Sequence, residues 1–348
     1  MNFEELAGST TDDKTPDYAY SHGLRIVRFI YGRNNSQSNI AIRPDKLQPP
    51  VGLAEDTPRQ ERVVKTLGST ALEWRHVRSA KDTNTVNIML MGWAGDNDNP
   101  ITQDALRYHA AYNPDADIIH INNPAHGDSS RLPLRDGLKI AQTGSFALQG
   151  EMQAELIGNT LEEYDHINIA GHSYGGRQAI ALTASLERPI DNLHLLDPPG
   201  SRKLGITNLA KAFLSLEGSH ARLYGEHAPD QEAAAIQRLG DSTGVQDMKN
   251  LLKRRGAIDQ FLIQTLAMSA NGLEHDMRLA AANVRNTIKF TSPALSELNY
   301  PEDVNLILQR VARTENIMQH DIVMRQTHSM IAANPNILAY IQKFDSNL

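Results

Sequence analysis

The chain has 348 residues, 40% of them hydrophobic, enough for a buried core; its formal charge of −7 argues against a nucleic-acid partner, since phosphate binding wants clustered Lys and Arg. It contains no cysteine, which excludes disulfides, thiolate metal ligands and a cysteine nucleophile. The length suits a core domain carrying an insertion.

The first 20 or so residues, polar and rich in Thr and Asp, read as a loose arm. The opening Met1-Asn2-Phe3-Glu4-Glu5-Leu6 is acidic and lacks the basic-then-apolar plan of a signal peptide. No apolar stretch approaches the ~20 residues of a transmembrane helix. No membrane span and a cytoplasmic location are therefore expected. Strand patterns run over 23–31, with Leu24, Ile26, Phe29 and Tyr31, and over 39–42. Four prolines make 44–61 a loop, and another strand is predicted over 70–77.

Residues 86–91, Val-Asn-Ile-Met-Leu-Met, read as the first fully buried strand and run into Gly92-Trp93-Ala94-Gly95. A helix is predicted over 102–112, with Ala105, Leu106, His109 and Tyr112 at helical spacing. The next strand, 117–122, leads into Asn123-Pro124-Ala125-His126-Gly127-Asp128-Ser129. A polar loop follows, then a helix over 145–163 with Phe146, Met152, Leu156 and Leu161 on one stripe.

Residues 166–176 read His-Ile-Asn-Ile-Ala-Gly-His-Ser-Tyr-Gly-Gly, an apolar alternating run that ends in Gly171-His172-Ser173-Tyr174-Gly175. A helix-forming run follows over 177–186. This G-x-S-x-G between strand and helix has the setting of a nucleophile elbow. The turn is tight enough that Cβ atoms at the flanking positions would clash, and Gly171 and Gly175 have none. Ser173 is then presented at the positive end of the helix. With this stretch the chain resembles the α/β-hydrolase family.

A strand over 192–196 ends in Asp197-Pro198-Pro199-Gly200. Residues 201–285 then show helical periodicity alone, with helices predicted over 206–216, 231–239, 245–254, 258–271 (stopped by Gly272) and 274–284. Lys253-Arg254-Arg255 reads as a solvated helix end. Strands return over 287–290 and 317–325, followed by Thr327-His328-Ser329-Met330 and a last helix over 336–344. The alternation of strand and helix from 86 to 186 predicts a parallel sheet with helices on both faces, its site at the strands' carboxyl ends.

The resemblance implies an α/β fold with a mostly parallel central sheet, helices on both faces and a helical cap inserted after the sixth strand. Residues 1–200 and 286–348 would form the core and 201–285 the cap, with Phe213, Phe261 and Met268 as candidate pocket residues. It implies an oxyanion hole from the N–H groups of Trp93 and Tyr174. The 123–129 loop resembles the family's D-x-P-G-x-G-x-S, departing from it at Asn123 and Ala125; His126 in such a loop is structural. A serine needs an imidazole to take its proton, and the imidazole needs a carboxylate. In the family's order, nucleophile, acid, histidine, Ser173 is followed late in the chain by His328, with His320 as competitor. The acid is expected after residues 287–290, where Glu297, four residues before Pro301, fits; Glu302 and Asp303 are rivals, and some members place it where Asp197 stands.

These residues imply a serine hydrolase that cleaves a carboxylic ester, or a related acyl bond, through an acyl-enzyme. A carboxylesterase is the default; a C–C bond hydrolase, a thioesterase and a proline iminopeptidase use the same triad, and a non-catalytic ligand receptor on this scaffold stays open. The expected partner is a small-molecule acyl substrate. No cofactor or metal is implied, H-E-x-x-H being absent. Substrate identity and oligomeric state are not legible.

Overall fold

The structure, a computed structural model, describes residues 24–31, 36–42, 50, 53, 58–68, 70–92, 97–98, 100–211, 257–270, 272–294, 296, 298–312, 316–323, 328, 331 and 335–344. Strands β5 (Thr85–Leu90), β6 (Asp117–Ile121) and β7 (His166–His172) are buried along almost their whole length. Strands covered on both faces read as near-continuous apolar runs. Their period of two survives in the layer that each side chain enters. Val86, Ile88 and Leu90 of β5 join Ile167 and Ile169 of β7 in the main core, while Met89 and Ala170 point to the other face.

The main core is closed by helices α3 (Ala147–Leu161), α4 (Tyr174–Ser185), α7 (Leu273–Ala281) and α8 (Pro301–Val311), through residues such as Ile157, Ile180, Met277 and Leu308. The opposite face is covered by α1 (Pro100–Tyr112) and α9 (Pro335–Gln342), which bring Ala105, Leu106, Ile337, Leu338 and Ile341 against the sheet.

With β1 (Leu24–Tyr31), β2 (Ser36–Ile42), β3 (Gln60–Leu67), β4 (Thr70–Val77), β8 (Ile190–Leu196), β9 (Val284–Pro293) and β10 (Ile317–Val323), the ten strands are ordered β2-β1-β10-β9-β8-β7-β5-β6-β4-β3. The run from β10 to β6 is parallel, and β1, β2, β4 and β3 close the two edges antiparallel. Register at the centre is marked by a ladder of asparagines. The Asn168 amide donates to Asn87 Oδ1 (2.9 Å), and the Asn192 amide donates to Asn168 Oδ1 (2.8 Å).

Three elements escape the sequence patterns. β3 continues out of the expected 44–61 loop; as an edge strand with most side chains exposed it carries Glu61, Arg62 and Lys65 instead of apolar alternation. A helix, α2 (Leu134–Thr143), stands where a polar loop was expected. Its Gly137 weakens the helical signal, but a Cβ there would lie 2.7 Å from Ile263 Cδ1, so a side chain at 137 would push the Ile263 side chain aside. The third is α8, begun by Pro301 at its first turn.

The segment expected to form the cap follows β8 in the chain. Its residues 212–256 lie outside the described residues, as do the side chains of Phe213 and Phe261. Helices α5 (Ile206–Lys211) and α6 (Ala257–Ser269) flank that segment. Leu209 of α5, Ala267 and Met268 of α6, and Ile140 of α2 form a separate apolar cluster with Phe146 and Tyr174, so Met268 is a packing residue. α7 belongs instead to the main core through Leu273, Met277, Ala280 and Ala281. Its apolar stripe packs beside α4.

Candidate active site

β7 ends at His172 and α4 begins at Tyr174, so Ser173 alone makes the turn, with φ 54° and ψ −123°. Such a conformation costs a non-glycine residue on the order of 1–3 kcal/mol. Its neighbours cannot carry side chains: a Cβ on Gly171 would lie 2.3 Å from the Gly175 carbonyl oxygen, and one on Gly175 2.2 Å from that of Leu90. The Ser173 N–H donates to Leu196 O (2.8 Å), and its carbonyl accepts the Gly176 N–H (2.9 Å). The Ser173 hydroxyl makes no capping bond to α4. Its Cβ stands 3.4 Å from where a Cβ on Gly92 would be, so the side chain faces the end of β5.

The N–H of Tyr174 opens α4, among the donors that have no acceptor inside a helix, and lies at the helix's positive end. The Tyr174 ring is buried edge-on to Phe146 at 5.5 Å, and its hydroxyl donates to Gln149 Oε1 at 2.9 Å. Burial raises the phenol pKa.

Leu196, the acceptor of the Ser173 N–H, is followed by Asp197, a fully buried residue at φ 46°. Asp197 Oδ2 accepts from His328 Nδ1 at 2.8 Å and from Ser296 Oγ at 2.5 Å; Oδ1 accepts from the Asn299 amide at 2.7 Å. Asn299 also donates to Pro198 O (2.9 Å), seating the loop after β8. A carboxylate on Nδ1 keeps the imidazole proton there and leaves Nε2 to accept one. His172, the residue before Ser173, stacks on the His328 ring at a centroid distance of 4.7 Å and an interplanar angle of 27°.

Asp197 is thus hydrogen-bonded to His328, His328 is stacked on the neighbour of Ser173, and the Ser173 N–H is bonded to the neighbour of Asp197. Glu297 and Trp93 lie outside the described residues. Glu302 and Asp303 stand in the first turn of α8, where the helix's positive end favours carboxylates. His320 is fully buried in β10 with Nδ1 at 2.6 Å from Asn305 Oδ1 and Nε2 at 2.8 Å from Ser292 Oγ. Both its nitrogens are occupied, and burial pushes its pKa down to about 3. His126 is buried with Nδ1 3.0 Å from Pro124 O, a contact inside its own loop.

One of the two departures in the 123–129 loop, Asn123, has a local reason. The Asn123 amide donates to Gly92 O at 2.9 Å, which an aspartate could not do, and its oxygen accepts from Gln178 of α4. Asn123 thereby ties the end of β5 to α4. Ala125 holds φ 65°, a left-handed conformation that glycine adopts more readily.

Sequence reasoning passed over four groups. Ser296 and Asn299 hydrogen-bond Asp197 and His172 stacks on His328, but a short motif gives no sign of a partner about 100 or more residues away. The fourth is Arg177, fully buried on the first turn of α4. Its guanidinium donates to Asp276 Oδ2 (2.9 Å), Gly144 O (2.6 Å) and Pro199 O (2.9 Å), linking α4 to α7 and to the loop after β8. Among the described residues no group of three or more His, Asp or Glu side chains could hold a metal, and no helix is long and apolar enough to cross a membrane.

A protein-family profile described as "alpha/beta hydrolase fold" matches residues 88–302. No curated protein matches the sequence. Among solved structures the chain is similar to MGS-M2, an alpha/beta hydrolase enzyme from a Medee basin deep-sea metagenome library, at 14% identity and a TM-score of 0.54, over 82% of this chain and 100% of that one. It is also similar to a lipase-esterase related protein from Clostridium acetobutylicum ATCC 824, at 14% identity and a TM-score of 0.51, over 77% of this chain and 97% of that one. At such identities the likeness is one of fold.

Proposed function

Because the chain belongs to the α/β-hydrolase fold family, we propose that it is a serine hydrolase that cleaves carboxylic esters, with Ser173 as nucleophile, His328 as general base and Asp197 as the acid. The observation that carries this reading is the hydrogen bond from His328 Nδ1 to the buried Asp197 carboxylate, on an imidazole stacked against the neighbour of Ser173. It prefers Asp197 over Glu297 and Asp303 as the acid.

Ser173 Oγ attacks the acyl carbon and passes its proton to His328 Nε2, while Asp197 stabilises the imidazolium. The N–H of Tyr174, with that of Trp93 as expected from the sequence, holds the oxyanion. Collapse expels the alcohol, which leaves with the proton from His328. Water then attacks the acyl-enzyme, gives its proton to His328, and the acid departs as Ser173 recovers its hydrogen. We assign the cover over this site to residues 201 to about 269, with α7 part of the core. The Ser173 side chain is almost wholly buried, which fits a pocket closed from above.

The test is turnover of short p-nitrophenyl esters together with labelling by a fluorophosphonate probe. Both should vanish in Ser173→Ala. A folded wild-type protein with neither would refute the proposal and leave a ligand receptor. A panel of esters, thioesters, aminoacyl-amides and vinylogous diketones separates the acyl chemistries that share this triad.

A further inference from the structure

His328 lies between β10, which ends at Val323, and α9, which begins at Pro335. Its ring must be aimed by what touches it. The bond to Asp197 fixes one nitrogen, and a hydrogen bond by itself does not set the tilt of a ring about the bond axis. A flat partner against the ring face sets it, and His172 is such a partner.

Two further observations set His172 apart from ordinary filling. Its ring also makes a hydrogen bond to the His328 main chain, so it holds backbone and imidazole together. It is wedged as well: its Nδ1 lies 2.9 Å from where a Cβ on Gly92 would stand, so the end of β5 must lack a side chain for the ring to fit. This placement leaves His172 Nε2 buried with no partner among the described residues. A phenyl ring would stack as well and bury no unpaired nitrogen, which is unfavourable. An imidazole is therefore explained by the bond its other side makes.

We infer that His172 is a positioning residue that clamps His328 by its face and main chain, registering the base against Ser173 from the adjacent position of the same strand end. The inference rests on the reading of Ser173 and His328 as nucleophile and base. Burial keeps the His172 pKa well below its ordinary value, so the clamp stays uncharged while His328 takes up its proton.

The experiment compares wild type with His172→Ala, which loses stack and bond, His172→Phe, which keeps a stacking face, and His172→Asn, which keeps an N–H near the Nδ1 position. Fluorophosphonate labelling gives two numbers, the fraction of serines titrated at completion and the rate per site; ester turnover supplies kcat and KM. Full titration is expected in all variants, with labelling rate and kcat reduced about 10- to 100-fold in the alanine variant, as for a misplaced base. The phenylalanine and asparagine variants should fall between, with KM unchanged. Wild-type rates in His172→Ala overturn the inference, as does a loss of titratable serines with the rate per site unchanged, the mark of a merely structural residue. If the alanine variant does not fold, the near-isosteric phenylalanine carries the same comparison. Ser173→Ala separates the two claims. Labelling that survives it defeats the site reading and this inference together, whereas labelling that it abolishes leaves only His172 at stake.

Discussion

Asp197→Asn is the substitution that tests the acid, because it keeps the shape and removes the charge. Three donors converge on the carboxylate, His328 Nδ1 at 2.8 Å, Ser296 Oγ at 2.5 Å and the Asn299 amide at 2.7 Å. An amide offers one acceptor oxygen in place of two. If its NH2 faces Nδ1, the imidazole proton is driven to Nε2, where it blocks uptake of the serine proton. If its oxygen faces Nδ1, the imidazolium formed in the transition state has lost its counter-charge. In a serine triad the corresponding change lowers kcat by about 10⁴-fold, on the order of 5 kcal/mol at about 1.4 kcal/mol per decade. Asparagine tolerates the left-handed φ of 46° at this position, so the fold should survive. We expect kcat on p-nitrophenyl acetate to fall about 10³- to 10⁴-fold in Asp197→Asn, and to stay within about twofold in Glu297→Gln and Asp303→Asn. Thermal unfolding of each variant checks that the comparison is between folded proteins. An Asp197→Asn enzyme within tenfold of wild type, beside a collapsed Glu297→Gln, would refute the assignment.

Further outcomes follow from burial. His109 is held down to a pKa of about 4, and His120 and His320 to about 3, each by desolvation. An unfolded histidine protonates near 6.5, so the unfolded state binds the extra protons and stability falls as pH drops from 6.5 towards 4. At pH 5 the loss is about 2 kcal/mol for each, about 6 kcal/mol together, which urea unfolding at pH 7 and pH 5 would read; equal stability at the two values would contradict it. Gly175→Ala should abolish soluble expression or cost more than about 4 kcal/mol, because the clash is with main chain. Gly158→Ala, in α3 with nothing within 4 Å of the new methyl, should stabilise by about 0.5–1 kcal/mol. Arg177→Met leaves the buried Asp276 carboxylate uncompensated and should cost about 3–5 kcal/mol, read as a lowered Tm.

Much of the parallel core was legible because its physics is local. A strand buried on both faces needs an apolar run, and a one-residue turn into a helix needs the glycines around Ser173 whatever the rest of the chain does. His328 was nominated for a related reason, as a histidine just beyond the last strand. The edge strand β3 and helix α2 were not, since one is stabilised by pairing with β4 and the other by α6 closing on Gly137.

The sequence by itself determined which residues could do the chemistry: one serine at a sharp turn, a late histidine and a short set of carboxylates. Only the tertiary structure showed that Asp197 is buried among three donors, the ground on which it is proposed as the acid. Ser296 and Asn299 come back from β9 to hold Asp197, and His172 turns its ring onto His328. Those contacts join residues about 100 to 156 positions apart, and their distances are set by the register of neighbouring parallel strands, which no short motif encodes.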